Sequence, residues 1–254
     1  MKAFHTLWTK PKPAENIEEF EFLTMVLSAL KWRQKNGEIF LVTDSLGEKF
    51  IKDKGAENCW DGIINVLDSI PESISPKTFW AAGKIFALDC FRAPVVSIDN
   101  DFIVWESLNL QNSRSKLSVI HTEEINPFVY PNADFLKVFD NGFDWTVKPV
   151  NTAFVYYGDE NLKETYRTLS IEVMKNLKSE DTLVPMVFAE QRLLSMVAHK
   201  SGIRPDTFST LKRLESEDRR FTHLWGYKQK LKNNPPMKEE FTKRLQNKIK
   251  TEFF

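Results

Sequence analysis

Two apolar runs, Val95-Val96-Ser97-Ile98 and Phe102-Ile103-Val104-Trp105, are separated only by Asp99-Asn100-Asp101. Charge placed between two buried runs is costly unless it has partners or a task. The first run therefore reads as a strand whose carboxyl end opens on a cleft, since ligands of open α/β sheets bind at the carboxyl ends of strands. The alternative is a surface turn, because Asp and Asn are common turn residues.

The chain leading to this segment alternates strand and helix patterns. Lys2 to Trp8 reads as a first strand, stopped by Pro11 and Pro13. Asn16 with Glu19 resembles a capping box. Phe20, Leu23, Leu27 and Leu30 then recur at helical spacing until Asn36-Gly37. Glu38 to Thr43 is a short buried strand running into Asp44-Ser45-Leu46-Gly47, which completes a βαβ-like opening. A second helix is expected from Ser75-Pro76 through Trp80, Lys84, Phe86 and Leu88, before the strand Val95–Ile98. Downstream, a strand is expected over Ala153 to Tyr157. Helices are expected over Leu162 to Leu177, Pro185 to His199, and the tail from Pro235. This order predicts an α/β domain with a mixed, mostly parallel central sheet flanked by helices.

Composition narrows the function. Lys plus Arg and Asp plus Glu are 35 each, a net charge of 35 − 35 = 0. That weighs against a nucleic-acid binder, which normally carries a positive excess. Cys59 and Cys90 are too few for a disulfide framework or a four-cysteine zinc site. No apolar stretch marks a secretory signal or a membrane span, so a cytoplasmic protein is the expectation.

In a turn just past the strand, Asp99 and Asp101 can converge on one divalent cation. Mg²⁺ and Mn²⁺ take oxygen ligands and leave coordination sites open for phosphate oxygens. Asp-x-Asp after a strand is the signature of GT-A glycosyltransferases. The wording Ile98-Asp99-Asn100-Asp101-Phe102-Ile103-Val104-Trp105 resembles an uncharacterised bacterial group of glycosyltransferase-like proteins. The resemblance extends to Lys2–Pro11, Thr43-Asp44-Ser45-Leu46-Gly47 and Trp80–Ala87, and runs from residue 2 to about residue 230. It implies a single GT-A-like, Rossmann-like domain over residues 1–230, followed by a basic amphipathic helix over 231–254.

Two later segments are similar to the glycogenin-like members of that fold. Phe188-Ala189-Glu190-Gln191-Arg192-Leu193-Leu194 resembles their acidic-Gln pair beside the reacting sugar, with Glu190 in place of the usual Asp. Thr222-His223-Leu224-Trp225-Gly226-Tyr227-Lys228 resembles their His-x-x-Gly-x-x-Lys segment, with the lysine one place early at Lys228. The resemblance implies metal ligands Asp99, Asp101 and His223, and reacting-centre residues Glu190 and Gln191. It implies donor contacts from Asp44, Lys84, Asn100, Gly226 and Lys228. His is a borderline ligand suited to Mn²⁺, Gly admits close backbone approach to phosphate, and Lys supplies a point charge.

The implied activity moves a sugar from a nucleotide-diphosphate-sugar donor to a glycan or other hydroxyl acceptor, with Mn²⁺ or Mg²⁺ as cofactor. Surface-polysaccharide synthesis is a context that bacterial relatives suggest by analogy. A nucleotidyltransferase also uses a strand-end carboxylate pair, but the first strand leads to Thr9-Lys10-Pro11 without the usual glycines. A degenerate transferase fold that binds a glycan or partner is the other alternative.

Among secondary candidates, His5 would line a base pocket. Asn151 and Gly158-Asp159 flank a strand where relatives bind sugar. Trp8, Trp105, Trp145 and Trp225 would serve as stacking platforms or as core. The tail from Lys228 carries eight Lys or Arg against three acids, with Phe241, Leu245, Ile249 and Phe253 at helical spacing. It would dock on the domain or lie on an anionic membrane surface at the inner face of the membrane.

Overall fold

The computed structural model describes residues 1–132 and 142–253. Residues 133–141 and Phe254, which fall within the two expected ranges 1–230 and 231–254, lie outside the described residues. The chain runs through strand β1 (Ala3–Leu7), helix α1 (Glu19–Lys35), β2 (Ile39–Thr43), α2 (Ser45–Asp53), β3 (Gly62–Asn65), α3 (Ala82–Ala87), β4 (Val95–Ile98), β5 (Phe102–Val104) and β6 (Leu117–Val119). Then come β7 (Phe154–Tyr157), α4 (Glu160–Asn176), α5 (Val184–Val187), α6 (Leu193–Lys200), β8 (Asp206–Thr207), α7 (Leu211–Ser216), β9 (Phe221–His223), α8 (Tyr227–Lys232) and α9 (Pro235–Phe253).

Seven strands form one sheet in the order β3-β2-β1-β4-β7-β6-β8. β1 pairs in parallel with β2 and β4, and β2 with β3, while β7 runs antiparallel to β4 and β6. This is the mixed, mostly parallel sheet expected for a GT-A-like α/β domain. Alternate residues feed two cores. Phe4, Val42, Val95 and Val155 point into one, with α3, α4 and α6. Ala3, Leu41, Val96 and Phe154 point into the other, with α1 and α9. Such alternation is what the pleat of a sheet covered on both faces requires.

Several local expectations need correction. α1 starts at Glu19, with Glu18 as its cap and a reciprocal Glu18–Glu21 capping box. Asn16 ends a short 3-10 turn that follows Pro13, so the box lies two residues later than the Asn16–Glu19 spacing predicts. The helix expected from Ser75 begins only at Ala82. Before it, turns hold Phe79 in the core, and the Trp80 indole donates to the Thr182 carbonyl at 3.1 Å. The helix expected over 185–199 is continuous but contains a π-turn at Phe188–Arg192 between α5 and α6.

The tail helix α9 packs on α1. Leu245 and Ile249 are buried, and the Phe241 ring meets Phe20 edge-on at 6.3 Å. Its charges pair along the helix, as in Lys243–Glu239 at 2.6 Å, or reach α1, as in Lys238–Glu18 at 2.6 Å. The apolar stripe that would enter a membrane surface is thus spent on docking. Among the described residues no helix is long and apolar enough to cross a membrane.

Candidate active site

The two carboxylates are placed by the sheet. β4 ends at Ile98, whose neighbour across the ladder is Phe154. The Asp99 N–H then donates to the Ala153 carbonyl at 2.8 Å, and the Phe102 N–H to the Asp99 carbonyl at 2.9 Å, which turns the chain into β5. Asn100 pins this turn to β1 by donating to the Thr6 carbonyl at 2.8 Å. β5 pairs antiparallel with β9, and Phe102 lies opposite His223. That register carries His223 to the carboxylates from the far end of the sequence.

Asp99, Asp101 and His223 each offer one ligand atom, and these atoms lie within 4.8 Å of one another. Burial holds the His223 imidazole below its ordinary pKa, against the opposing pull of Asp101 and Asp99. A neutral imidazole is the form that ligates a metal. Burial raises Asp101, but Lys228 and His223 more than offset it, so its carboxyl sits below the usual range. Two carboxylate oxygens and one neutral imidazole nitrogen fit a divalent cation that accepts both donor types, which Mn²⁺ does better than Mg²⁺.

Lysines neutralise the acids. Lys84 reaches Asp99 Oδ1 at 2.6 Å, forms an ion pair with Glu190, and donates to the Thr152 carbonyl at 3.0 Å. Burial disfavours its charge, yet Asp99 and Glu190 together hold its pKa above the usual lysine value. Its position depends on Gly83. A Cβ there would come within 2.9 Å of Thr6 Cγ2 and 3.0 Å of Trp8 Cβ, so only glycine lets α3 lie this close to the end of β1. On the other side, Lys228 Nζ is 2.7 Å from Asp101 Oδ2.

Glu190 and Gln191 enter through the π-turn. Extra backbone in a π-turn rotates side chains off the α-helical phase, and such turns concentrate at functional sites. Glu190 Oε1 accepts from Thr152 Oγ1 at 2.9 Å, and its carbonyl accepts from the Tyr166 hydroxyl at 2.8 Å. Gln191 Oε1 accepts from the Tyr130 hydroxyl at 2.6 Å.

All these groups open on one cleft of about 460 Å³. It is lined by Lys84, Asp99, Asn100, Asp101, Glu190, Gln191, His223 and Lys228 from the sequence reading, and by Asn151 and Trp8. Trp80 and Trp225 also line it, 46% and 71% exposed. Within the cleft wall, Thr6 Oγ1, Trp8 Nε1 and Asn100 Oδ1 are buried without a hydrogen-bond partner. Buried polar atoms normally find partners, so this wall retains capacity for a ligand or water.

Two expected donor contacts stand apart. Asp44 caps α2 by accepting from the Gly47 N–H at 2.8 Å, and its other oxygen accepts from the Thr9 N–H at 2.7 Å and Thr9 Oγ1 at 2.9 Å. It is buried and is not part of the cleft lining. Gly226 precedes α8 with φ −71°, and a Cβ there would meet nothing within 4 Å, so neither backbone nor packing demands glycine.

His5 is also corrected. It is wholly buried in the face packed by α1, not in a base pocket. Ser28 Oγ donates to the Phe102 carbonyl at 2.5 Å, so His5 Nε2, 3.1 Å away, must donate to Ser28. His5 Nδ1 then accepts from Trp60 Nε1 at 3.3 Å. Trp105 donates to Thr222 Oγ1 at 2.9 Å, and Trp145 stacks on Phe188, so both are structural rather than platforms. Thr152 and Tyr130, which fix the Glu190-Gln191 pair, escaped the sequence reading. Thr152 carried a weak signal, standing between Asn151 and a strand, whereas Tyr130 carried none.

The model of the Family of unknown function (DUF6734) matches residues 1–139, more than half of the chain. No curated protein matches the sequence. Among solved structures the chain is similar to the PaToxG glycosyltransferase, with 13% identity and TM-score 0.49 over 85% of this chain and 71% of that one. It is similar to mouse xyloside xylosyltransferase 1, with 10% identity and TM-score 0.47 over 88% and 97%. It is also similar to the glycosyltransferase GlyE of Streptococcus pneumoniae, with 12% identity and TM-score 0.42 over 84% and 45%.

Proposed function

We propose that this chain, which belongs to DUF6734, a family of unknown function, is a metal-dependent glycosyltransferase. It takes a nucleotide-diphosphate-sugar as donor and a glycan or other hydroxyl compound as acceptor. The observation that carries this reading is the convergence of Asp99, Asp101 and His223 within 4.8 Å at the carboxyl end of the sheet. They share their cleft with Glu190, Gln191 and two lysines.

Asp99, Asp101 and His223 would hold Mn²⁺, with Mg²⁺ as the harder alternative. When bound, the cation supplies Lewis-acid stabilisation to the departing nucleoside diphosphate. Lys228, at the cleft wall beside Asp101, adds a positive charge for the same diphosphate.

Glu190 Oε1 is committed to Lys84 and Thr152, which leaves Oε2 for the reacting centre. A carboxylate fixed this way stabilises positive charge developing on the sugar. If Oε2 instead takes the acceptor's proton, the sugar inverts; if it only stabilises charge, retention is open. Gln191, held by Tyr130, orients a sugar or acceptor hydroxyl.

The test is release of nucleoside diphosphate from a panel of nucleotide-sugars, with water as acceptor, with and without Mn²⁺. One donor should be hydrolysed in a Mn²⁺-dependent manner, and Asp101→Ala should slow it by about 100-fold or more. Undiminished hydrolysis by Asp101→Ala would overturn the assignment. Tight nucleotide binding without hydrolysis of any donor would favour a binding module.

A further inference from the structure

The ion pair between Lys228 and Asp101 engages one of the three candidate metal ligands. Lys228 Nζ is 2.7 Å from Asp101 Oδ2, and that same oxygen is 3.8 Å from His223 Nε2. The oxygen that faces the third ligand is therefore already bound to a cation. We propose that Lys228 is an internal cation of this site, which yields Asp101 to a divalent metal only when a diphosphate draws its ammonium away, so that metal and diphosphate bind cooperatively. This rests on the metal-site reading given above.

The two lysines of the site differ in the way this requires. Lys84 is fixed by Asp99, Glu190 and the Thr152 carbonyl together. Among the described residues, Asp101 is the only ion-pair partner of Lys228. Lys228 lies in the first turn of α8, with its N–H donating to the Leu224 carbonyl at 3.0 Å. Its side chain is about one-third exposed. A lysine stem on a fixed backbone can swing its ammonium by rotation alone, so exchange of partner needs no movement of the helix.

Charge counting gives the direction of the coupling. The three carboxylates Asp99, Asp101 and Glu190 against the two ammonium groups of Lys84 and Lys228 sum to −3 + 2 = −1. A divalent cation alone reverses that to +1 and sets a dication beside a displaced ammonium, in a partly buried cleft where repulsion is poorly screened. A diphosphate returns the site to negative charge and gives Lys228 new oxygen acceptors. Each ligand therefore improves the site for the other, and the coupling factor is the same in both directions.

The experiment is Mn²⁺ binding, read by loss of the free-ion EPR signal and by calorimetry, on the full chain. Wild type, Lys228→Gln, Lys228→Met and Lys232→Gln are compared. Lys232 pairs with Glu21 at 3.1 Å, so its substitution removes one charge from the same helix without vacating Asp101. Titrations use Mn²⁺ alone, then Mn²⁺ with UDP, GDP, ADP or CDP, corrected for metal–nucleotide complex in solution. With Mn²⁺ alone, both Lys228 variants should bind about tenfold tighter than wild type, and Lys232→Gln should match wild type. In wild type the effective nucleotide should tighten Mn²⁺ binding by a factor in the common range of about 5–150, and this factor should shrink in both Lys228 variants. Equal or weaker binding of Mn²⁺ alone by the Lys228 variants would overturn the proposal while leaving the metal site standing. Failure of every form to bind Mn²⁺ with every nucleotide would overturn the metal site and this proposal with it.

Discussion

His223 lies opposite Phe102 in the β5–β9 ladder, so a residue 121 positions away delivers its imidazole to Asp101 by strand register alone. The imidazole Nε2 comes within 3.8 Å of Asp101 Oδ2. A one-residue slip of that short ladder would turn His223 to the opposite face and dissolve the cluster. The site thus depends on the aromatic packing beneath it, where Phe102 meets Phe154 and Phe221 at ring distances of 5.9 and 5.6 Å. Phe221→Ala should cost about 3–4 kcal/mol of stability and weaken Mn²⁺ binding in the fraction that remains folded. Unfolding by urea and Mn²⁺ titration read the two effects separately; unchanged metal affinity would remove the register argument.

Lys84 is the hinge of the buried charge network. Lys84→Met leaves Asp99 and Glu190 without their shared cation, and breaking a buried pair this way costs about 3–5 kcal/mol. Glu190→Gln in the same chain should restore part of that loss, because one orphaned charge is gone. Urea denaturation of the two single variants and the double variant checks this, and strict additivity would show that the two residues are not coupled.

His5 makes stability acid-sensitive. Burial lowers its pKa to about 3 from an ordinary 6.5, against the opposing charge of Asp101. The folded state then binds fewer protons than the unfolded chain between pH 6.5 and about 3. Its contribution is complete above pH 6.5 and is lost as pH falls through that window, at up to about 1.4 kcal/mol per pH unit. A His5→Asn variant should be less stable at neutral pH and should lose less stability on acidification to about pH 5. Parallel stability–pH curves for the two proteins would contradict the buried neutral imidazole.

The tail helix is predicted to be part of the fold. Leu245→Ala should cost about 2–3 kcal/mol, because the side chain is buried against α1. The intact chain should not float with anionic vesicles at about 0.15 M salt, since its apolar stripe is already covered. Flotation with no change in the helix's protection from hydrogen exchange would show a second binding face.

The strands that carry the site were legible because each is a short apolar run with a turn signal after it. Val95–Ile98 with Asp99-Asn100-Asp101 located the cleft, and His223 joins it at the spacing of the motif it resembles, whereas Lys228 joins it although it stands one place early in that motif. Four features were hidden for physical reasons. The π-turn at Phe188–Arg192 changes side-chain phase without changing the apolar pattern. Asp44 looks alike in sequence whether it meets a ligand or caps α2, and only its three hydrogen bonds distinguish the two. His5 sits in a strand where period-two alternation does not say which face holds the cleft and which the core. Tyr130 reaches Gln191 across 61 positions, a contact no local pattern encodes.

The most direct measurement is a thermal-shift panel of nucleoside diphosphates and nucleotide-sugars, each with and without Mn²⁺, on wild type and Asp101→Asn. A ligand that binds the folded state raises the midpoint by mass action. One nucleotide should raise the wild-type midpoint far more with Mn²⁺ than without, and Asp101→Asn should lose the metal-dependent part. Absence of any shift, or an equal metal-dependent shift in Asp101→Asn, would contradict the assignment of Asp99, Asp101 and His223 as a metal site for a nucleotide-sugar.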